Sequence, residues 1–274
     1  MRALSKPVLK PRAFVMTSAD IRPVEACEAA ALFVSVPKPT QYNVWAGIFV
    51  HRFIEITQKE GDAAAAAWLR TKTGVAGKRA AKILDGVDVA SLPRGEPEIE
   101  LIVDARELSV RQGAYRDASH ESDVYMRLDV SGVEPGGGPF LVDWKTSLAE
   151  VDVEHAEQFQ LNAFALWLVH SRPAWGVVAH AVVLHVELRG HPRWHTHHFS
   201  ARELEKFGRR LKRAHAKMRM ARLEVWKDKR APEFEPGPHC RTCRARHACT
   251  VAEEVETVVS DVRAAFGGAK EARR

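Results

Sequence analysis

Two short runs of strand-forming residues joined by a tight turn constrain this chain more than any other feature. Residues 123–133 and 139–145 are rich in β-branched and aliphatic side chains, and Glu134-Pro-Gly-Gly-Gly between them supplies a hairpin turn. Pairing the two runs brings Asp129 beside Asp143, and because side chains alternate along a strand, Asp143 and Lys145 project to the same face. The outcome is two carboxylates and one lysine on one sheet face. Carboxylates are hard oxygen ligands suited to Mg²⁺ or Mn²⁺. Such an ion can lower the pKa of water and shield a negative phosphodiester, and a lysine beside it can orient the attacking water or stabilise developing charge. An isolated D-x-K is more often a surface ion pair, so the remainder of the chain decides its meaning.

Around this hairpin the chain reads as helices, a strand meander, a helix, strands and a helix. Residues 1–17 form a basic arm, and Ser18 or Asp20 caps a short helix through Cys27 to about Leu32. Two prolines in Val36–Thr40 break it. Val44, Ile48, Phe49, Phe53 and Ile56 recur at helical spacing and predict an amphipathic helix over 42–59. An alanine-rich helical stretch follows over 62–85, interrupted near Gly74–Gly77, and 86–97 is a loop. Strands are expected at 98–110, 177–187 and 194–199 besides the hairpin, with helices at 153–170 and 201–227 and a helical end from 251. There is no internal repeat. This order specifies an α/β class: a mixed central sheet flanked by helices, with helical additions. A single domain over 1–274 is expected, with an N-terminal helical part at 18–97, a core at 98–200 and a basic C-terminal part at 201–274.

Charge points to a polyanion. The chain carries a net +6, and between Arg189 and Arg230 there are 14 Lys and Arg against 4 Asp and Glu. Such an excess suits phosphates, each of which releases condensed counterions when neutralised, although a solvated helix face has the same composition. No apolar run approaches the roughly 20 residues of a membrane span, and MRALSKPVLKPRAF lacks the apolar stretch of a secretory signal. A cytoplasmic protein with no membrane partner is expected. No G-x-x-x-x-G-K-[ST] segment occurs, so the chain contains no recognisable ATP motor.

Further candidate residues fall on the predicted helices. Gly47-x-x-x-His51-x-x-x-Glu55 places His51 and Glu55 on one helix face, His51 as a possible imidazole ligand. Gln160 and Phe164 stand one turn apart on the helix after the D-x-K strand. Cys240-x-x-Cys243-x-x-x-x-x-Cys249 gives three thiols on one loop, with Cys27 near the other end as a fourth. In a reducing compartment this arrangement binds metal rather than forming disulfides, and four thiolates suit a [4Fe–4S] cluster or a structural zinc.

In this order the motifs resemble the RecB-like branch of the PD-(D/E)xK nuclease superfamily: Gly47–Glu55, Met126-Arg127-Leu128-Asp129, Asp143-Trp144-Lys145 and Gln160-Leu-Asn-Ala-Phe164 stand in place of its G-x-x-x-H-x-x-x-E helix, G-h-x-D strand, D/E-x-K strand and Q-x-x-x-Y helix. Met126 stands where glycine is usual and Phe164 where tyrosine is usual, so a hydroxyl donor to DNA is missing from that helix. The resemblance implies a restriction-endonuclease-like core and a metal-dependent DNA nuclease. His51, Asp129, Asp143 and the Trp144 carbonyl would hold Mg²⁺ or Mn²⁺, with Lys145 as catalytic lysine and Gln160 assisting. It also implies that Cys27, Cys240, Cys243 and Cys249 hold a [4Fe–4S] cluster that clamps the two ends of the chain, zinc being the less favoured occupant. Phe234-Glu-Pro-Gly-Pro-His-Cys240 is similar to the lead-in of that clamp in its members. Exonuclease action on single strands or ends is the first expectation. The other is a DNA-binding adaptor subunit that keeps the fold within a recombination, repair or CRISPR-adaptation complex. Helicase, recombinase or integrase partners suit either role.

Overall fold

The structure is a computed structural model, which describes residues 14–32, 42–228, 235, 237–241 and 243. The chain divides into two compact units, one of residues 1–37, 120–122 and 211–274 and the other of 38–119 and 123–210.

The larger unit is built on a six-stranded sheet in the order β2-β1-β3-β4-β5-β6. Its strands are β1 (Glu96–Asp104), β2 (Ser109–Gln112), β3 (Asp123–Val133), β4 (Pro139–Lys145), β5 (Val177–Val183) and β6 (Arg193–Phe199). Every neighbouring pair is antiparallel except β4 and β5, which run parallel from Phe140↔Val178 to Lys145↔Val183. A parallel pair needs a crossover, and α5 (Glu157–Val169) supplies it, packing on both strands. The sheet is therefore mixed and helix-flanked, the expected class. The hairpin strands have the expected bounds. The expected strand at 98–110 is two, because the chain turns at 105–108 and returns as β2, with Leu108 in the left-handed region at φ 53°.

Helices α2 (Tyr42–Glu60), α3 (Asp62–Arg70) and α4 (Gly74–Leu84) precede the sheet. Val50 and Ile54 of α2, Ala80 and Ile83 of α4, and Val130, Val142, Trp144 and Val182 of the sheet form one buried cluster. The alanine-rich stretch breaks at 71–73, just before the glycine proposed as the break, where Gly74 takes φ +86°. Helix α5 is buried around most of its circumference, including Phe159, Leu161, Ala163, Phe164 and Trp167. Its start at Glu157 lies later than expected because 151–156 forms turns. Phe164 is 1 % exposed and meets Phe207 with ring centroids 5.9 Å apart. A hydroxyl here would enter the core, so tyrosine's absence costs this helix no donor at its surface.

The smaller unit contains α1 (Ser18–Ala26) and the later turns of α6 (Ala201–Asp228). Thr17 caps α1 rather than Ser18 or Asp20: its backbone N–H donates to Asp20 Oδ2 at 2.8 Å, which makes Asp20 the reciprocal member of a capping box. Helix α1 ends before Cys27, and a 3₁₀ turn covers Glu28–Ala31. Along α6, Leu211, Ala214, Met218, Ala221 and Val225 recur at helical spacing and are buried. Arg222 is buried with them, donating to the carbonyls of Phe14 and His120 at 3.0 Å each and lying over the Phe14 ring. One of the cations counted toward polyanion binding is therefore spent on internal structure. Among the described residues no helix is long and apolar enough to cross a membrane.

Helix α6 comes close enough to α5 that a Cβ on Gly208 would lie 2.7 and 2.8 Å from ring atoms of Phe164. We expect Gly208→Ala to destabilise the fold by about 1–3 kcal/mol through overpacking, read as a lowered denaturant midpoint with an unchanged slope.

Candidate metal centre

The register of the hairpin builds the site. Val130 pairs with Val142, so Asp129 and Asp143 lie one step further along β3 and β4. The backbone N–H of Trp144 donates to Asp129 Oδ2 at 2.8 Å, fixing the carboxylate across the strand gap. Trp144 itself, one residue out of phase with Asp143, joins Val50 and Ile54 in the apolar cluster. Burying one side of β4 in this way commits Asp143 and Lys145 to the other.

Helix α2 adds the imidazole. Its Ala46, Val50 and Ile54 are fully buried, and this anchoring sets His51 Nδ1 at 3.3 Å from Asp129 Oδ2. Gly47 permits the approach: a Cβ there would lie 2.9 Å from Thr146 Oγ1, just past the D-x-K strand. Glu55, the third member of the helical motif, is buried and bound by cations of its own helix, Arg52 at 2.5 Å and Lys59 at 2.9 Å. Its backbone position faces the cleft, but its charge is already answered.

Asp143, 4 % exposed, is held from two sides. Lys145 Nζ stands 2.6 Å from its Oδ2, and Gln158 Nε2 donates to its Oδ1 at 2.6 Å. Lys145 in turn donates to Gln158 Oε1 at 3.1 Å, which closes a triangle of carboxylate, ammonium and amide. Gln158 was not among the sequence candidates. Gln160, which was, lies outside the cleft: its Nε2 donates to the Glu154 carbonyl at 2.9 Å and its Oε1 accepts from Arg210 at 3.4 Å. Two residues along a helix point about 200° apart, so only one of the glutamines can reach Asp143.

A second missed residue is Glu98 on β1. One ligand atom each from His51, Glu98 and Asp129 lie within 4.8 Å of one another. With Asp143, Lys145, Gln158 and Arg127 these line a cleft of about 600 Å³. One imidazole and several carboxylates, partly or fully withdrawn from water, form a donor set that fits a hard divalent cation. Lone Glu residues on a strand carry no sequence signal of this kind, which is why Glu98 escaped notice.

The electrostatics follow from burial set against pairing. Burial pulls the His51 imidazole down, yet its hydrogen bond to Asp129 and the charges of Asp129, Asp143 and Glu98 outweigh that and leave its pKa raised. Burial pushes Asp129 up, but His51, the Trp144 N–H and Lys145 hold it below the ordinary aspartate value. For Asp143, burial and the Asp129 charge together prevail over Lys145, and its pKa is pushed up to about 6. Burial also raises Glu98, against the opposing charge of Arg127.

The cysteines of the smaller unit can be placed in part. Cys27 is buried directly after α1, Cys240 and Cys243 are half-buried, and Cys240 Sγ accepts the Gly237 N–H at 3.4 Å. Helix α1 packs against the 3₁₀ turn Pro238–Arg241 that carries Cys240. Cys249 lies outside the described residues.

The family model of the PD-(D/E)XK nuclease superfamily matches residues 25–250. Among solved structures, a protein from Eubacterium rectale, named only provisionally as an exonuclease, is similar at 9 % identity and a TM-score of 0.44, covering 83 % of this chain and 87 % of that one. A second, SSO0001, is similar at 11 % identity and a TM-score of 0.35, covering 88 % of each chain. No curated protein matches the sequence.

Burial raises the Glu55 carboxyl, but its bonds to Lys59 and Arg52 win, and its pKa is lowered. Its stabilising contribution is therefore complete above the ordinary carboxylate value and is lost as pH falls through the depressed folded value. Glu55→Gln should cost about 1 kcal/mol near neutrality, a modest figure because Arg52 and Lys59 are half exposed. Denaturant unfolding of both proteins from pH 3 to 8 should show this gap constant above pH 6 and closing in acid.

Proposed function

Because the chain belongs to the PD-(D/E)XK nuclease superfamily, we propose that it is a metal-dependent deoxyribonuclease acting as an exonuclease on single strands or DNA ends. The observation that carries this reading is the meeting of His51, from a helix far upstream in sequence, with Asp129, Asp143 and Lys145 of the hairpin at one cleft. His51, Asp129, Asp143 and the Trp144 carbonyl would hold Mg²⁺ or Mn²⁺, which when bound supplies Lewis acidity toward water and the phosphodiester oxygens. Asp129 is oriented by the Trp144 N–H and His51 before any ligand arrives. Lys145, aligned by Gln158 and Asp143, directs its ammonium to the point where water attacks phosphorus. As water's oxygen bonds to phosphorus it would give up a proton to bulk water, the bond to the leaving oxygen would break, and that oxygen would take up a proton from bulk water.

Exposed cations of α6, among them Arg202, Lys206, Arg209, Lys212 and Arg213, suit the sugar–phosphate backbone and carry no base preference. DNA is accordingly the partner of this reading, and a cytoplasmic location with a helicase, recombinase or integrase companion belongs to it. The shared placement of Cys27 and Cys240 in one compact unit supports a thiolate-bound [4Fe–4S] cluster completed by Cys243 and Cys249. Its role would be structural, closing a long loop and restraining the unfolded chain.

Anaerobically purified protein should degrade end-labelled DNA with Mn²⁺ or Mg²⁺ and not with EDTA, and Asp143→Ala should abolish this. Gln158→Ala should lower the rate by about 10- to 100-fold through the misplaced Lys145 and Asp143, whereas Gln160→Ala should stay near wild type. A Gln160→Ala loss with Gln158→Ala unaffected would reverse that assignment. Cleavage that persists in Asp143→Ala would remove the proposed site.

For the cluster, iron and acid-labile sulfide should each approach about four per chain, and Cys27→Ala should lose both together with thermal stability. Protein that carries zinc and no iron would replace the cluster with a structural zinc.

A further inference from the structure

We propose that Glu98 is a further ligand of the divalent cation and that Arg127 is the residue that positions its carboxylate. The proposal rests on the nuclease reading of the cleft and extends its ligand set beyond the motif residues.

Geometry comes first. His51, Glu98 and Asp129 present ligand atoms within 4.8 Å of one another. Oxygen and nitrogen donors at roughly 2.0–2.6 Å from one ion are separated by about that distance when they lie on different sides of it. Asp143 stands apart from this group, engaged by Lys145 and Gln158. The cation site the structure presents therefore opens toward β1 as well as toward β4.

The backbone of β1 supplies an independent observation. The ladder runs Pro97↔Val130 and then Ile99↔Leu128, which leaves Glu98 across from Asp129. Glu98 itself adopts φ 58°, a left-handed conformation uncommon for a non-glycine residue inside a strand. Two like charges directly opposite across a strand pair also repel. The repulsion disfavours the metal-free protein, and a cation between the two carboxylates would turn it into an attraction. A cation between Glu98 and Asp129 would answer the charge that a single ion pair with Arg127 leaves over.

Arg127 completes the argument. It lies two residues before Asp129 on β3 and so projects to the same face. Its Nε stands 2.9 Å from Glu98 Oε2, with the arginine side chain 55 % exposed and the glutamate 17 %. The guanidinium thus holds one oxygen at the solvent edge and aims the carboxylate into the cleft.

The test is calorimetric titration of the full chain with Mn²⁺, kept anaerobic, alongside thermal unfolding of the metal-free proteins. Wild type, Asp129→Asn, Glu98→Gln and Arg127→Gln are compared. Glu98→Gln should bind Mn²⁺ at least about 10-fold more weakly while its metal-free Tm equals or exceeds that of wild type. Arg127→Gln should fall between the two in affinity. Glu98→Asp, which keeps the charge, should recover part of the loss. Glu98→Gln with wild-type affinity, beside an Asp129→Asn that no longer binds, would overturn the role of Glu98 and leave the nuclease reading standing. A metal-free Glu98→Gln that unfolds well below wild type would overturn it also, as the mark of a structural carboxylate. Failure of wild type itself to bind Mn²⁺ would overturn both.

Discussion

The Asp129 carboxylate is the point on which the site's geometry depends. One of its oxygens accepts from the Trp144 backbone and faces His51, so it joins β3, β4 and α2 through a single atom. An ionised group withdrawn from water is tolerated only when hydrogen-bonded and paired. Here the pairing partners are the elements that must converge for the cleft to exist. The hairpin register brings the Trp144 N–H to it, and the buried face of α2 brings the imidazole. Displacing either would leave Asp129 short of a partner in a poorly hydrated place, so the arrangement is held in position by the cost of losing it.

Much of this was legible in the sequence because it is written in strand and helix periodicity. The hairpin strands were bounded correctly, since their β-branched runs end at a Pro-Gly turn, and alternation alone placed Asp143 and Lys145 on one side. His51 was found by helical spacing from Gly47, and the reason for that glycine, the nearby Thr146 hydroxyl, emerges only in three dimensions. Gln160 is the candidate in the sequence because it stands four residues before Phe164, the spacing of the Q-x-x-x-Y helix in the family the chain resembles. A helix buried on nearly every side has no polar face to fix its rotation, so periodicity cannot distinguish Gln158 from Gln160. Glu98 was out of reach for another reason. Its position depends on one left-handed residue inside a strand, and no pattern of residue types announces that.

Charge counting was informative in bulk and misleading in detail. From Ala201 to Asp228 the basic stretch does form a long helix with exposed cations. Arg222, however, is buried against Phe14 and His120, and Arg210 binds Glu157 at 3.2 Å as well as Gln160. These two arginines hold packed segments together, and a phosphate could reach Arg222 only by unfolding its surroundings. What remains for a polyanion is the outward row of α6, selected by the same 3.6-residue period that buries Leu211 and Met218.

The cleft does not share the positive excess of the chain. Among the described residues, each carboxylate lining it has its own cationic partner: Glu55 with Arg52 and Lys59, Glu98 with Arg127, Asp129 with His51, and Asp143 with Lys145. Pairing neutralises these acids roughly one for one and leaves little net attraction for a phosphodiester. A divalent ion held where His51, Glu98 and Asp129 converge would add two positive charges, and at close range in a partly desolvated cleft that would make the local field attractive to a phosphodiester. Such an ion would also draw on Asp143 and loosen its hold on Lys145, leaving that ammonium available to an incoming phosphate, while Arg127 would keep Glu98 in place. On the proposed reading electrostatics would set the order of events, the cation first and the nucleic acid second, with the exposed cations of α6 contributing long-range attraction.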